Sequence, residues 1–120
     1  TRGADFSPAL DARPVEAIFR KGTDPRIDSY SGFFDNGHRK ATGLGPYHTG
    51  RGVTDVYVCG LATDYCVKFT ALDALPLGFN VHLIEDACRG VNLRSTDVQQ
   101  AVDKMRTQGV RILRSDQMRP

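Results

Sequence analysis

The chain has 120 residues, of which 40% are apolar and 25% are charged, an ordinary balance for one globular domain. Sixteen basic and fourteen acidic side chains leave a formal charge of +2, and the basic residues are scattered rather than clustered. We therefore expect no nucleic-acid partner. No apolar run of about 18 residues and no basic start followed by an apolar core occur, so we expect neither a membrane span nor export, and a cytoplasmic location follows by default.

The first part of the chain is rich in turn-forming residues. Residues 1–14 show no apolar period and are interpreted as an arm or loop. Residues 15–20 are predicted to form the first strand, and residues 21–38 form a long turn-rich stretch of the kind that is usually functional. A connecting helix is expected over residues 39–51, but three glycines and a proline oppose it, so this helix should be short or frayed.

Strands and helices alternate in the rest of the chain. Strands are predicted at residues 55–59, 81–84 and 110–113, where β-prone apolar residues follow one another. The helix after the first of these strands is expected to end at Pro76 and Gly78. Its apolar stripe comprises Val67, Thr70, Ala71, Ala74 and Leu75.

A second helix is predicted to begin at Ser95 or Thr96, where Thr96 and Gln99 fit a capping box, and to end at Gly109. Its buried stripe comprises Val98, Ala101, Val102 and Met105. Alternating strands and helices with crossover connections predict an α/β fold with a parallel sheet. Such a sheet must be covered on both faces, which four strands and about three helices do poorly. Because the chain also lacks an initiator methionine, we interpret it as the C-terminal part of a larger doubly wound domain.

Cys66 is the residue most suited to carry chemistry. An apolar β-prone segment breaks at Gly60, and the Cys66 thiol opens the helix that follows. Unpaired N–H groups and the helix dipole favour a thiolate there, and the thiolate is the nucleophilic form of cysteine. Lys21 directly follows the first predicted strand, at the edge where parallel sheets bind ligands. A nucleophile and a cation at this edge predict amide or acyl-transfer chemistry.

The other cysteines and the histidines favour structural roles. Three cysteines without paired spacings indicate reduced thiols rather than a zinc knuckle or a disulfide scaffold. Cys59 and Cys88 are interpreted as packing residues. Asp64 is expected to cap the Cys66 helix, and Asp28 and Ser29 are expected to order their loop through local hydrogen bonds. The histidines lack metal-ligand spacing and are predicted to be surface or rim residues; they are His38, His48 and His82.

Four segments together resemble one family. They are FRKG at residues 19–22, DSYSGFFDNG at 28–37, GLATDYCVK at 60–68 and DACRGV at 86–91. In this order they resemble bacterial nicotinamidases, also called pyrazinamidases, of the isochorismatase-like cysteine hydrolases. The resemblance implies a three-layer α-β-α fold with a mostly parallel sheet. Residues 1–120 would then be the C-terminal part of a single isochorismatase-like hydrolase domain whose N-terminal part is absent from this chain.

The resemblance also implies the chemistry. Family members convert nicotinamide to nicotinate and ammonia in NAD salvage, with a Cys-Lys-Asp triad, and many accept pyrazinamide. Cys66 matches the nucleophile and Lys21 the triad lysine, while Tyr30 matches an aromatic residue that lines the substrate pocket. The bond between the residues matching Leu61 and Ala62 is cis in the family, and the backbone N–H groups matching Ala62 and Cys66 form the oxyanion hole.

The remaining parts of the family's site fall outside this chain. The triad aspartate and the ligands of a divalent metal, expected to be zinc or else iron or manganese, lie in the preceding segment, so no metal ligand is expected here. We therefore expect the N-terminal remainder of the domain to be a partner of this chain. Nicotinamide is the expected substrate, and a homo-oligomer is left open. Alternatives are a hydrolase of another small amide and a non-catalytic half; enzymes that act on isochorismate lack the cysteine.

Overall fold

A three-stranded parallel sheet organises the computed structural model, which describes residues 5–118. The strands are β1 (Asp55–Leu61), β2 (Asn80–Arg89) and β3 (Arg111–Leu113), in the order β1-β2-β3. The helices are α1 (Leu44–Gly50), α2 (Lys68–Ala74) and α3 (Asp97–Gln108), with a π-helical turn at Thr63–Val67 before α2 and a 3₁₀ turn at Ser115–Gln117. The predicted α/β class and parallel sheet are confirmed.

The pairing of β1 with β2 changes register near the end of β1. Val58 pairs with Leu83, whereas Gly60 pairs with Cys88, so the ladder is interrupted between Val58 and Gly60. β2 is consequently longer than the predicted strand at 81–84, because its second half resumes pairing beyond the interruption. Cys88 therefore lies within β2 rather than after it. The irregularity occurs where β1 turns towards the helix that carries Cys66.

The core lies between one face of the sheet and the helices. Both predicted stripes contribute to it: Ala71 and Ala74 of α2 are fully buried, and Met105 of α3 contacts the same apolar cluster as Leu83 of β2. Thr70, Leu75 and Val98 are only partly buried, since they lie at the margins of these stripes.

The opposite face of β1 is open. Burial alternates along β1, and Asp55, Tyr57, Cys59 and Leu61 are exposed. Residues 5–118 do not bury Cys59, contrary to the packing role expected for it, because alternate residues of a strand point to opposite faces and Cys59 lies on the open one. The second helical layer that a three-layer fold requires is not among residues 5–118, and it stays a prediction. No helix in this part of the chain has the length and apolar character needed to cross a membrane.

Three local expectations concern the first half of the chain. Residues 15–20 form no strand, because a strand exists through ladder hydrogen bonds and none of the three described strands pairs with this segment. The long turn-rich stretch is confirmed, as is a short helix after it, since α1 has seven residues. Residues 5–14 contain neither helix nor strand, and the first four residues of the expected arm lie outside the described range.

The start of α3 differs from the prediction. Thr96 is the N-cap residue, but its side chain makes no capping hydrogen bond, so the capping box is wrong. Asn92 takes this role from the preceding loop, where its Oδ1 accepts the N–H of Val98 at 2.9 Å. The end of α3 is confirmed, because Gly109 adopts a left-handed conformation with φ of 117° that favours glycine.

Candidate active site

The turn after β1 carries Cys66. The peptide bond between Leu61 and Ala62 is cis, and the π-helical turn begins at the next residue. The C=O of Ala62 accepts the N–H groups of Tyr65 at 3.1 Å and Val67 at 3.0 Å, which closes this turn over the end of the strand. Cys66, within the turn, is half-buried. The thiol is thus held at the carboxyl edge of the sheet, as its sequence position indicates.

Lys21 meets Cys66 although 45 residues separate them. The Nζ atom of Lys21 lies 3.5 Å from Sγ of Cys66 and donates a hydrogen bond of 2.7 Å to the C=O of Ser29. A cationic side chain therefore lies within contact distance of the sulfur. The two predicted catalytic side chains are therefore brought together, even though the strand expected before Lys21 does not form.

The loop that holds Lys21 is ordered by internal hydrogen bonds. Ser29 is buried, and its hydroxyl lies 3.4 Å from the C=O groups of Ser31 and Phe34. The C=O of Asp28 accepts the N–H of Asn36 at 2.9 Å. The expected local hydrogen bonds are therefore present. Ser29 makes them with its side chain, whereas Asp28 makes its bond with the backbone carbonyl.

Tyr30 follows Ser29 in this loop. Its ring stacks on Phe69 with centroids 5.6 Å apart and contacts Tyr65 edge to face at 5.5 Å. It lines a cavity of about 300 Å³, whereas Lys21 lines a neighbouring one of about 200 Å³. Cys66 is not among the residues that line either cavity. A substrate role for Tyr30 therefore stays a prediction, as does the oxyanion hole.

Asp64 has a role that its sequence position did not indicate. Its carboxylate is buried and accepts the N–H groups of Val91 and Asn92, each at 2.9 Å, so the expected helix cap is wrong. Burial acts most strongly on this carboxyl and raises its pKa. The backbone N–H groups of Val91, Asn92 and Asp64 itself and the charge of Lys68 together outweigh burial, so the pKa is lowered. A side-chain carbon at Gly90 would collide with Cγ2 of Val98 and lie 3.1 Å from Oδ1 of Asp64. Asp64 thus fastens the loop after β2 to the Cys66 turn.

Thr70 also has hydrogen bonds that the sequence did not indicate, because the sequence placed it only in the apolar stripe of α2. Its hydroxyl donates to the C=O of Cys66 at 2.6 Å and accepts the N–H of Gly32 at 2.8 Å. The first bond has the four-residue spacing of an ordinary helix, whereas the second joins residues 38 positions apart, which no local pattern reveals.

His82 is buried, contrary to the surface position expected for it. It occupies the central strand, where its ring stacks on Tyr57 with centroids 4.4 Å apart and its Nε2 lies 3.2 Å from Oδ1 of Asp55. His38 is exposed and His48 half-buried, in agreement with their predicted rim positions.

Cys88 is a buried packing residue, as expected. Its thiol donates to the C=O of Ile84 at 3.3 Å, and burial raises the pKa of the thiol. Between residues 5 and 118, no three His, Cys, Asp or Glu side chains lie close enough together to hold a metal ion. The residues present therefore do not fit the metal that the sequence resemblance implies.

Known proteins share this arrangement of elements. An Isochorismatase domain profile matches residues 1–117. The chain belongs to the isochorismatase domain family. It is 47% identical over 109 residues to a nicotinamidase of Escherichia coli, covering 91% of this chain and 51% of that protein.

Two solved structures of the family extend the comparison. A nicotinamidase/pyrazinamidase from Acinetobacter baumanii superposes with a TM-score of 0.91 at 45% identity, over 97% of this chain and 56% of the other. A pyrazinamidase from Pyrococcus horikoshii in complex with zinc gives 0.79 at 38% identity, over 95% and 58%. The isochorismatase-like fold is thereby confirmed, and the chain spans about half the length of the curated relatives it matches.

Proposed function

We propose that the complete protein hydrolyses nicotinamide to nicotinate and ammonia and also accepts pyrazinamide. The observation that carries this proposal is the 3.5 Å contact between Nζ of Lys21 and Sγ of Cys66. It occurs in a chain that is 47% identical to a nicotinamidase and 45% identical to a nicotinamidase/pyrazinamidase of known structure. A thiol at the carboxyl edge of a parallel sheet with a cation beside it suits attack on an amide carbonyl.

The proposed reaction passes through a thioester. The Cys66 thiolate adds to the amide carbonyl carbon, and the tetrahedral oxyanion accepts hydrogen bonds from the backbone N–H groups of Ala62 and Cys66. The C–N bond then breaks, and nitrogen leaves as ammonia with a proton from the triad aspartate, which lies outside this chain. Water adds to the thioester carbonyl and gives one proton back to the aspartate. The C–S bond then breaks, the second water proton passes to the sulfur, and nicotinate leaves the Cys66 thiol.

Lys21 and Tyr30 have supporting roles in this scheme. Lys21 places a cationic group 3.5 Å from the attacking sulfur, and its hydrogen bond to the C=O of Ser29 fixes its position. Tyr30 offers an aromatic face to the pyridine ring, supported by its stacking on Phe69. No step is assigned to a metal, because the described residues do not fit one; the zinc of the Pyrococcus horikoshii protein suggests that the remainder of the domain would hold it.

The remainder of the domain is also the proposed partner of the exposed face of β1. Tyr57 and Leu61 on that face are 47% and 75% exposed, which leaves apolar surface for a second layer to cover. A cytoplasmic location and a homo-oligomeric assembly stay predictions.

Ammonia release tests the proposal in the complete protein. Cys66→Ala should lower nicotinamide turnover by about a thousandfold or more, because removing a nucleophile disables the whole triad. Cys59→Ala is the matched control: it makes the same substitution at another free thiol, in the strand that precedes the site, and should leave turnover close to the wild-type value. Turnover of another amide but not nicotinamide would refute the substrate, and substantial activity of Cys66→Ala would refute the nucleophile.

A further inference from the structure

The contact between Lys21 and Cys66 is part of a closed ring of hydrogen bonds. One side runs from Sγ of Cys66 to Nζ of Lys21 at 3.5 Å and on to the C=O of Ser29 at 2.7 Å. The loop leads from Ser29 to Gly32, whose N–H donates to Oγ1 of Thr70 at 2.8 Å. Thr70 closes the ring by donating to the C=O of Cys66 at 2.6 Å. The nucleophile is thus attached to the loop at both its sulfur and its carbonyl.

The direction of each bond at Thr70 is determined by chemistry. An amide N–H can only donate, so the Gly32 bond uses a lone pair of the hydroxyl. The single hydroxyl proton is therefore available for the C=O of Cys66, which can only accept. One side-chain oxygen consequently joins the loop to the nucleophile's own peptide group, and no other hydroxyl in the described ring does so.

Lys21 depends on this attachment because the hydrogen bonds of its ammonium within residues 5–118 go to the C=O of Ser29 and to Sγ of Cys66. Lys21 is exposed and lies in a segment without helix or strand. Its Nζ is directed by the Ser29 carbonyl, and Ser29 is three residues from the point where the loop is tied to Thr70. The C=O of Gly32 is held as well, by the hydroxyl of Thr42 at 2.6 Å. Both peptide groups of Gly32 are therefore hydrogen-bonded, one to Thr70 and one to Thr42. Of these two threonines, Thr70 is the one that also bonds to Cys66.

We propose that the Thr70 hydroxyl is a positioning group that sets the distance between the Lys21 ammonium and the Cys66 sulfur, an inference that rests on the catalytic roles proposed above. Without the hydroxyl, Gly32 and Cys66 each lose a hydrogen-bond partner. The Ser29 carbonyl then loses its hydrogen-bonded link to the nucleophile, and the ring contacts of the adjacent Tyr30, which lack the direction of a hydrogen bond, position the loop less tightly. The lysine then favours the thiolate less, because the attraction between charges falls with distance. Small displacements of reacting groups can cost about a hundredfold in rate.

Thr70→Val, Thr70→Ala and Thr70→Ser in the complete protein test this role. The readout is the pH dependence of Cys66 alkylation by iodoacetamide, followed by mass spectrometry, together with kcat and KM for nicotinamide. Thr70→Val should move the alkylation profile to higher pH and lower kcat by about ten- to a hundredfold. Thr70→Ser keeps the hydroxyl and should retain the wild-type profile.

A matched control is available in α3. The Thr107 hydroxyl donates to the C=O of Asp103 at 2.8 Å, the same four-residue hydrogen bond as in Thr70, far from the site in sequence and on an exposed helix surface. Thr107→Val should change neither profile nor kcat. Should Thr70→Val not fold, Thr70→Ala serves in its place, since its smaller side chain lets water reach the two freed groups.

The outcomes separate cleanly. A folded Thr70→Val or Thr70→Ala protein with the wild-type alkylation profile overturns the inference, even if its melting temperature is lower. An equal shift in Thr107→Val also overturns it, because the effect would then belong to any such helix bond. The alkylation assay needs no substrate, so it decides the positioning role even if the wild-type protein fails to hydrolyse nicotinamide, a result that would refute the proposed function alone.

Discussion

Replacing Asp64 by asparagine tests how the Cys66 turn is fastened to the loop after β2. In the folded protein both carboxylate oxygens accept a backbone N–H, from Val91 and from Asn92, each at 2.9 Å. Asparagine preserves the size of the side chain but has one acceptor oxygen. Its NH₂ group would face the second N–H donor, so one of the two bonds is lost and a buried donor is left without a partner.

The expected cost follows from the kind of bond that is lost. Hydrogen bonds to charged groups contribute about 1.5–3 kcal/mol, and Asp64 is only 5% exposed, so solvent cannot replace the bond. The pKa of the Asp64 carboxyl is lowered from its ordinary value of 3.8 by folding. Its stabilising contribution is therefore complete above that value and is lost as the pH falls through the lowered folded value. The difference between wild type and Asp64→Asn should be constant from pH 5 to 7 and narrow below about pH 4.

Urea unfolding of the complete protein between pH 3 and pH 7 measures this difference. Asp103→Asn is the control, because it removes the same charge from an exposed helix position paired with Arg106 and should cost about 0.5 kcal/mol or less. If Asp64→Asn is as stable as Asp103→Asn at pH 7, or if its deficit grows as the pH falls below 4, the described role of Asp64 is wrong.

Two further substitutions test the core and the charge at the site. Met105→Ala should destabilise the protein by about 2–5 kcal/mol in urea unfolding, because Met105 is fully buried and its truncation leaves a cavity. The control Met118→Ala, at a 40% exposed position, should have little effect. Equal effects of the two substitutions would contradict the assigned core. Lys21→Met should raise the pH at which a thiol reagent labels Cys66, because it removes the cation 3.5 Å from the sulfur. The control Lys104→Met, at an exposed position of α3, should leave that pH unchanged. An unshifted labelling profile for Lys21→Met would show that this cation does not stabilise the thiolate.

Local patterns predicted the repeating elements well. The stripes of α2 and α3, the short α1 and the glycine end of α3 follow from periodicity and backbone preference, which act over a few residues. The strand expected at residues 15–20 failed because a strand needs a neighbour, and the sequence of a segment does not say whether one is available. Cys59 and His82 were misplaced for a related reason, since burial depends on which face of the sheet is covered.

The sequence by itself identified the residues proposed to carry the chemistry: a thiol after a strand break, a lysine 45 positions earlier, and motifs in the order of one hydrolase family. Tertiary structure alone decided how they are joined. Asp64 reaches the loop after β2 and Thr70 reaches Gly32 through hydrogen bonds that span 27 and 38 positions. Such bonds form only after strands and helices pack, because closing long loops brings their donors and acceptors together at no fixed spacing that a pattern could reveal.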